Sequence, residues 1–144
     1  MIVHAGLIAL RLGGGWRGVL IQGPSGSGKS DLALRAIGQG FRLVADDRTV
    51  LFLSAGRLFG RAPGALHGLI EIRGVGVVQM AVLDLAPIVL SVRCKTTLDA
   101  VERHPESTFI DLLGVAAPVM DLWPFENSAP AKISRAIEHL GARP

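Results

Sequence analysis

The sequence contains no tyrosine and only one cysteine, and aromatic residues make up 5% of its 144 residues. The single cysteine, Cys94, excludes a disulfide or a four-cysteine zinc site within the chain, and such sparse use of cysteine is typical of a cytoplasmic protein. Cys94 ends the apolar run Pro87–Cys94, so we expect a buried and unreactive thiol. The sequence therefore predicts a cytoplasmic chain without internal covalent cross-links.

Long apolar runs and clusters of one charge are also missing. No stretch approaches the roughly 18 apolar residues of a membrane-spanning helix, and the first residues lack the basic and then apolar pattern of a secretory signal. The 15 lysines and arginines exceed the 12 aspartates and glutamates by a net charge of +3, but they are scattered and form no patch with interleaved aromatic residues. A nucleic-acid-binding surface needs a patch of clustered basic residues with aromatic residues among them. We therefore expect neither a nucleic acid nor a membrane as partner.

The residues that are present indicate one folded domain. Hydrophobic residues make up 49% of the chain, and its length suits a single core, so we expect residues 1–144 to form one domain. Its 18 glycines indicate many turns. Short apolar runs between these turns predict an α/β fold that is rich in strands and hairpins and has few helices.

The predicted elements follow from apolar periodicity and turn residues. Helices are predicted at Ser30–Gln39, at Thr96–Arg103 and after Ser128, which we interpret as a helix N-cap. Strands are predicted at Val3–Arg11, Trp16–Gln22, Phe41–Ala45, Thr49–Leu53, Leu58–Phe59, Leu69–Ile72, Val77–Leu83, Pro87–Arg93 and Val119–Trp123.

A glycine-rich loop joins the second predicted strand to the first predicted helix. Its residues are Gly23-Pro24-Ser25-Gly26-Ser27-Gly28-Lys29-Ser30, which fit the phosphate-binding pattern G-x-x-x-x-G-K-[ST]. In that pattern backbone N–H groups surround an anion at the positive end of the helix, the lysine contacts the β- and γ-phosphates, and the hydroxyl binds Mg²⁺. The alternative is a glycine-rich turn that binds nothing. The strand before the loop and the helix after it favour a P-loop.

Two carboxylates, Asp46 and Asp47, follow the strand after this helix. Parallel strands end at the same edge of a sheet, so both residues are expected beside the loop. Neighbouring residues on a strand point to opposite sides, so we expect only one of the two to face the phosphates. Periodicity does not say which one. A solvated turn is the alternative.

Other polar residues have weaker signals. Glu71 alternates with two isoleucines, which fits either a metal-ligand carboxylate or the wet face of a strand. None of the histidines His4, His67, His104 and His139 falls in a metal-binding spacing, and each is expected to be structural or solvated on this evidence.

Four segments together resemble the catalytic domain of the bacterial HPr kinase/phosphorylase family. They are Val3–Gly6, Gly23–Ser30, Gly40–Arg48 and Ile70–Val78, and their order and spacing agree with the family. The resemblance implies a P-loop fold like that of phosphoenolpyruvate carboxykinase. It also implies a serine kinase that uses ATP and Mg²⁺ to phosphorylate the phosphocarrier protein HPr, and a homo-oligomer, since many members are hexamers.

The resemblance assigns roles to individual residues. Lys29 corresponds to the residue that contacts the phosphates, and Ser30 and Glu71 correspond to metal ligands. Asp47 corresponds to the base that accepts the serine proton, and His4 to a histidine beside that aspartate. The resemblance gives no separate role to the neighbouring aspartate.

The sequence departs from the family pattern at two places. Members carry a separate N-terminal domain, whereas this sequence starts at the catalytic part, so we expect a short single-domain form. Where the family has a Pro-Gly-Arg-Asn segment, the sequence has Trp123–Ser128 without arginine. Kinase activity is therefore favoured over phosphorylase activity. A small-molecule P-loop kinase and a non-catalytic ATP-binding regulator remain as alternatives.

Overall fold

The structure, a computed structural model, describes residues 1–141. These residues form eleven strands, two α-helices and two short 3-10 turns. The helices are α1 (Lys29–Ile37) and α2 (Ala129–His139), and the turns are Gly64–Leu66 and Leu98–Ala100. The strands are β1 (Ile2–Val3), β2 (Ala5–Leu12), β3 (Gly15–Gln22), β4 (Arg42–Ala45), β5 (Thr49–Ser54), β6 (Arg57–Arg61), β7 (Leu69–Ile72), β8 (Gly76–Gln79), β9 (Ala86–Cys94), β10 (Thr108–Leu112) and β11 (Val115–Leu122).

Nine strands form one mixed sheet with β3 near its middle. On one side β3 pairs antiparallel with β2, and β2 pairs antiparallel with β4, so β4 runs in the same direction as β3. On the other side β3 pairs parallel with β9, and β9 pairs parallel with β11. The carboxyl ends of β3, β4, β9 and β11 therefore lie at one edge of the sheet. β7 and β8 form a separate two-stranded sheet.

The alternation of side chains along β3 divides the core into two parts. Val19 and Ile21 belong to the apolar cluster that includes residues of α1 and α2. Leu20 belongs to a second cluster, which includes residues of β5 and β6. Both faces of the central strand are thus buried over its apolar run Val19–Ile21.

Helices cover one face of the sheet. In α1, Leu32, Ala33 and Ala36 are buried, and this spacing places them on one side of the helix. Ile70 of β7 packs into the same cluster and is only 1% exposed, so the small sheet is anchored beside α1. Within the described residues no helix is long and apolar enough to cross a membrane.

The predicted α/β class with many strands and few helices is confirmed, but several elements differ. The predicted helix at Thr96–Arg103 is wrong: the structure has only the 3-10 turn there, and Leu98 is exposed, so a helix would have no apolar face to bury. The strand β10 was not predicted. The strand predicted at Val77–Leu83 ends at Gln79. Ser128 precedes α2 as predicted, but its side chain makes no capping hydrogen bond.

Candidate functional site

The glycine-rich loop connects the end of β3 to the start of α1. Gly26 and Gly28 have φ angles of 79° and 96°, a left-handed conformation that glycine adopts without a steric penalty. The N–H of Ser27 donates to the carbonyl of Pro24 at 3.1 Å, which closes a turn within the loop. Lys29 is the first residue of α1, so the loop ends at the positive end of the helix. This arrangement favours an anion.

Lys29 folds back over the start of the loop. Its ammonium donates to the carbonyl oxygens of Gly23 at 2.6 Å and Pro24 at 3.0 Å. An ammonium has three N–H donors, so one donor remains for an external acceptor. These two hydrogen bonds hold the positive charge of Lys29 beside the first residues of the loop.

The base of the loop is closely packed. A methyl group at Gly23 would lie 2.6 Å from Oγ of Ser27 and 3.0 Å from Cβ of Cys94, so only glycine fits without a shift of its neighbours. Cys94 is buried as predicted. Burial raises the pKa of its thiol to about 11, against the smaller opposing effect of the Lys29 ammonium. The thiol therefore stays protonated at neutral pH and is a poor nucleophile.

Asp46 joins three elements of the site. Its Oδ1 accepts a hydrogen bond from the hydroxyl of Ser30 at 2.7 Å, and its Oδ2 accepts one from the backbone N–H of Glu71 at 3.0 Å. Ser30 lies in the first turn of α1, and Glu71 lies in β7. One carboxylate thus fixes the position of the Ser30 hydroxyl and of the strand that carries Glu71. The Glu71 side chain is exposed.

Asp47 points to a different partner and has an unusual backbone. Its φ angle is 67°, and the N–H of Arg48 donates to the carbonyl of Asp46 at 2.7 Å. A hydrogen bond between residues i+2 and i around a residue of positive φ defines a classic γ-turn, which is rare and strained. Oδ1 of Asp47 lies 2.6 Å from Nε2 of His4, and both side chains are about half exposed. The two aspartates thus have different partners, Asp46 toward Ser30 and Asp47 toward His4.

The structure therefore gathers most of the predicted site residues at the edge where β3 and β4 end. These are His4, Lys29, Ser30, Asp47 and the whole segment Gly23–Ser30. The other histidines lie elsewhere: His67 pairs with Asp84 at 3.0 Å, and His104 and His139 are exposed. No group of three or more His, Cys, Asp or Glu side chains suited to a metal is found among the described residues.

Sequence reasoning missed the contact between the loop and the segment after β11. A methyl group at Gly28 would lie 2.8 Å from Cζ of Phe125, so the edge of that ring lies over the loop. The guanidinium of Arg35 in α1 donates to the carbonyls of Pro124 and Glu126. No prediction from the sequence indicated this contact, which arises because β11 lies parallel to β9 and ends at the same edge of the sheet.

Residues 3–113 match the family profile described as the HPr serine kinase C-terminal domain. The HPr kinase/phosphorylase of Clostridium tetani is 36% identical over 98 residues, which are 68% of this chain and 32% of that protein. The corresponding protein of Lactococcus lactis subsp. cremoris is 37% identical over 127 residues, 83% of this chain and 40% of that protein. The chain thus spans between about a third and two fifths of the length of these curated relatives.

A solved structure is also similar over nearly the whole chain. The HPr(Ser) kinase/phosphatase of Coxiella burnetii superposes with a TM-score of 0.80 at 25% sequence identity. The match covers 96% of this chain and 89% of that chain. The likeness therefore concerns the fold of nearly the whole chain.

Proposed function

The chain belongs to the HPr serine kinase C-terminal domain family, and on this premise we propose that it is an ATP-dependent kinase that phosphorylates a serine of an HPr-type phosphocarrier protein. The observation that supports this best is the meeting of three groups at one edge of the sheet. They are the Lys29 ammonium in the loop, the Ser30–Asp46 pair and the His4–Asp47 pair. A phosphoryl-transfer site needs a phosphate cradle, oxygen ligands for a metal and a group that positions the acceptor.

The loop is the proposed phosphate site. Backbone N–H groups of Gly23–Ser30 and the start of α1 favour the negative charge of ATP phosphates, and the free N–H of Lys29 donates to a phosphate oxygen. Gly26 and Gly28, whose backbones are in the left-handed conformation, have no side chains that could block the inner surface of the loop. The positive charge of Lys29 then stabilises the negative charge that develops on the phosphate oxygens during transfer.

Mg²⁺ is the proposed metal, and the donor set fits it. The hydroxyl of Ser30 and the carboxylate of Asp46, which are hydrogen-bonded at 2.7 Å, would supply oxygen ligands, which this hard cation prefers, and the exposed carboxylate of Glu71 is the proposed further ligand. Mg²⁺ is commonly held by one or two carboxylates together with substrate phosphates, so no larger cluster of protein ligands is needed. When bound, it neutralises phosphate charge. Asp46 also orients the Ser30 hydroxyl and holds the N–H of Glu71.

Asp47 is the proposed base. A serine hydroxyl is a weak nucleophile, and a positioned carboxylate that takes its proton makes attack on the γ-phosphorus feasible. The proton passes from the serine oxygen to Asp47, the new bond forms between that oxygen and the γ-phosphorus, and the bond to the β–γ bridging oxygen breaks to release ADP. The strained γ-turn supports this role, because strained backbone concentrates at functional positions. His4 holds one oxygen of Asp47 and leaves the other for the substrate.

The proposal also covers the favoured direction of the reaction, the oligomeric state and the cellular location. We expect phosphorylation to dominate over phosphorolysis, because Trp123–Ser128 contains no arginine at the place where the resemblance puts one. Residues 1–144 act as one kinase domain, and assembly into a homo-oligomer follows the pattern of related enzymes. The cytoplasm is the proposed location.

The test is an acceptor-labelling assay. The protein is incubated with ATP labelled in the γ-phosphate, Mg²⁺ and the HPr-type protein of the same organism, and the labelled residue is mapped by mass spectrometry. We expect label on one serine, and none on an acceptor in which that serine is alanine. ADP release without an acceptor would instead indicate a general NTPase, and absence of both label and ADP release would contradict a kinase.

A further inference from the structure

Two of the few aromatic residues of this chain stand together beside the glycine-rich loop. The sequence has five phenylalanines, two tryptophans and no tyrosine. Trp123 and Phe125 are separated by one residue, their ring centroids lie 6.4 Å apart, and the rings meet edge to face at 68°. Phe125 is 52% exposed although its edge lies over Gly28. About half of Phe125 is therefore accessible to a ligand next to the proposed phosphate site.

The segment that carries this pair is held in place from both helices. Arg35 of α1 donates to the carbonyls of Pro124 and Glu126, and the ammonium of Lys132 in α2 lies 2.6 Å from Oε1 of Glu126. The N–H of Glu126 also donates to the carbonyl of Trp123 at 3.3 Å. The rings are thus presented by a fixed backbone, so little conformational entropy is lost when a flat ligand packs against them.

The topology gives the direction from which such a ligand arrives. Asp46 and Asp47 follow β4, on the side of β3 where β2 and β4 lie. Trp123 and Phe125 follow β11, on the opposite side of β3, beyond β9. Gln22, Arg93 and Asp121 are paired across β3, β9 and β11, so these three strands end level with one another. A nucleotide whose γ-phosphate faces the two aspartates extends its nucleoside toward the aromatic pair.

We propose that Phe125, supported by Trp123, is the surface on which the base of the bound nucleoside triphosphate stacks. This inference rests on the proposed nucleotide-binding function and adds the site of the base to it. Aromatic side chains stack on nucleobases with little dependence on base identity. Phe125 is a binding residue in this account, and it takes no part in the transfer of the phosphoryl group.

Affinity measurements with and without a base test this assignment. Dissociation constants are measured for MgATP and for magnesium tripolyphosphate, which has the phosphates but no nucleoside, on the intact chain and its variants. Phe125→Leu keeps an apolar side chain over Gly28 but removes the ring, and Phe125→Trp keeps a ring. Phe109→Leu is the matched control, since Phe109 is an exposed phenylalanine on β10. We expect Phe125→Leu to weaken ATP at least about fivefold and to leave tripolyphosphate unchanged, while Phe125→Trp and Phe109→Leu bind ATP like the wild type.

Two results would contradict the assignment of Phe125 as the base-stacking residue and would leave the proposed function intact. One is an unchanged affinity of Phe125→Leu for ATP. The other is an equal loss of ATP and tripolyphosphate, which would show that Phe125 supports the loop itself. If the wild-type protein binds neither compound, both the base site and the proposed nucleotide-binding function are wrong.

Fluorescence gives an independent reading: in a Trp16→Phe background, Trp123 is the remaining tryptophan, and ATP should quench it more than tripolyphosphate does.

Discussion

Nε2 of His4 lies 2.6 Å from Oδ1 of Asp47, across 43 residues of sequence. An ionised carboxylate has only acceptor oxygens, so Nε2 carries the hydrogen in this pair. The bond fixes the rotation of the Asp47 side chain, and its second oxygen remains available to a substrate hydroxyl. His4 is in this account a positioning residue for the proposed base.

Removing the imidazole should slow transfer without weakening nucleotide binding. We expect His4→Ala to lower kcat by about ten- to hundredfold, since a misplaced catalytic group costs rate of this order. His4→Gln supplies an amide donor and should retain more activity than His4→Ala. Steady-state kinetics with the carrier protein check this, and ATP affinity measured by titration should match the wild type. Equal activity of His4→Ala and the wild type would remove His4 from the mechanism.

The γ-turn at Asp47 predicts a reversed order of stability for two substitutions. In the middle of a helix or strand, a glycine makes the protein less stable than an alanine does, by about 0.5–1 kcal/mol. At Asp47 the φ angle of 67° disfavours a Cβ atom, so we expect Asp47→Gly to be more stable than Asp47→Ala by about 1 kcal/mol. Urea denaturation measures the difference. An alanine variant as stable as the glycine variant would show that the backbone is not strained there.

The hydrogen bond between Ser30 and Asp46 predicts an energetic coupling. Each single change, Ser30→Ala or Asp46→Ala, should lower the free energy of unfolding by about 1–2 kcal/mol. The double variant should lose about 0.5–1 kcal/mol less than the sum, because the second change removes a bond that is already broken. Ser30→Ala combined with Asp84→Ala, an exposed aspartate, is the additive control. Strict additivity of Ser30 and Asp46 would contradict the bond.

The close approach of β3 and β9 predicts a contrast between two glycines of one strand. A methyl group at Gly18 would lie 2.5 Å from the carbonyl oxygen of Pro87, whereas no heavy atom lies within 4 Å of one at Gly15. Gly18→Ala should therefore destabilise the protein by about 1–3 kcal/mol, and Gly15→Ala should leave stability nearly unchanged. Thermal unfolding compares them, and similar midpoints would mean that β3 and β9 are not paired in this register.

Local patterns predicted the elements that have a strong apolar signal. β7 has the predicted bounds, and β3 begins one residue before the predicted start, because their apolar residues stand between clear turn residues. β10 escaped prediction because four of its five residues are not fully buried and its stability comes from pairing with β11. The exposed Leu98 shows the opposite error, since apolar residues in a loop resemble a helical pattern when their burial is unknown.

The candidate site shows a similar division. The pattern at Gly23–Ser30 identified the loop from local sequence alone, because its glycines and lysine act through their immediate neighbours. The resemblance placed His4 beside Asp47, but the partners of Asp46 lie in α1 and β7, and only the fold reveals them. The contact of Phe125 with Gly28 joins residues almost a hundred positions apart, and no periodicity predicts it.

Phosphoryl transfer by Asp47→Asn tests the central claim most directly. Asparagine has nearly the same shape and tolerates positive φ, but its amide does not accept the serine proton. With the HPr-type acceptor and saturating MgATP, we expect the transfer rate to fall about 100- to 10,000-fold, while ATP affinity stays within about twofold because the phosphate loop is unchanged. A variant that labels the acceptor serine as fast as the wild type would contradict the account.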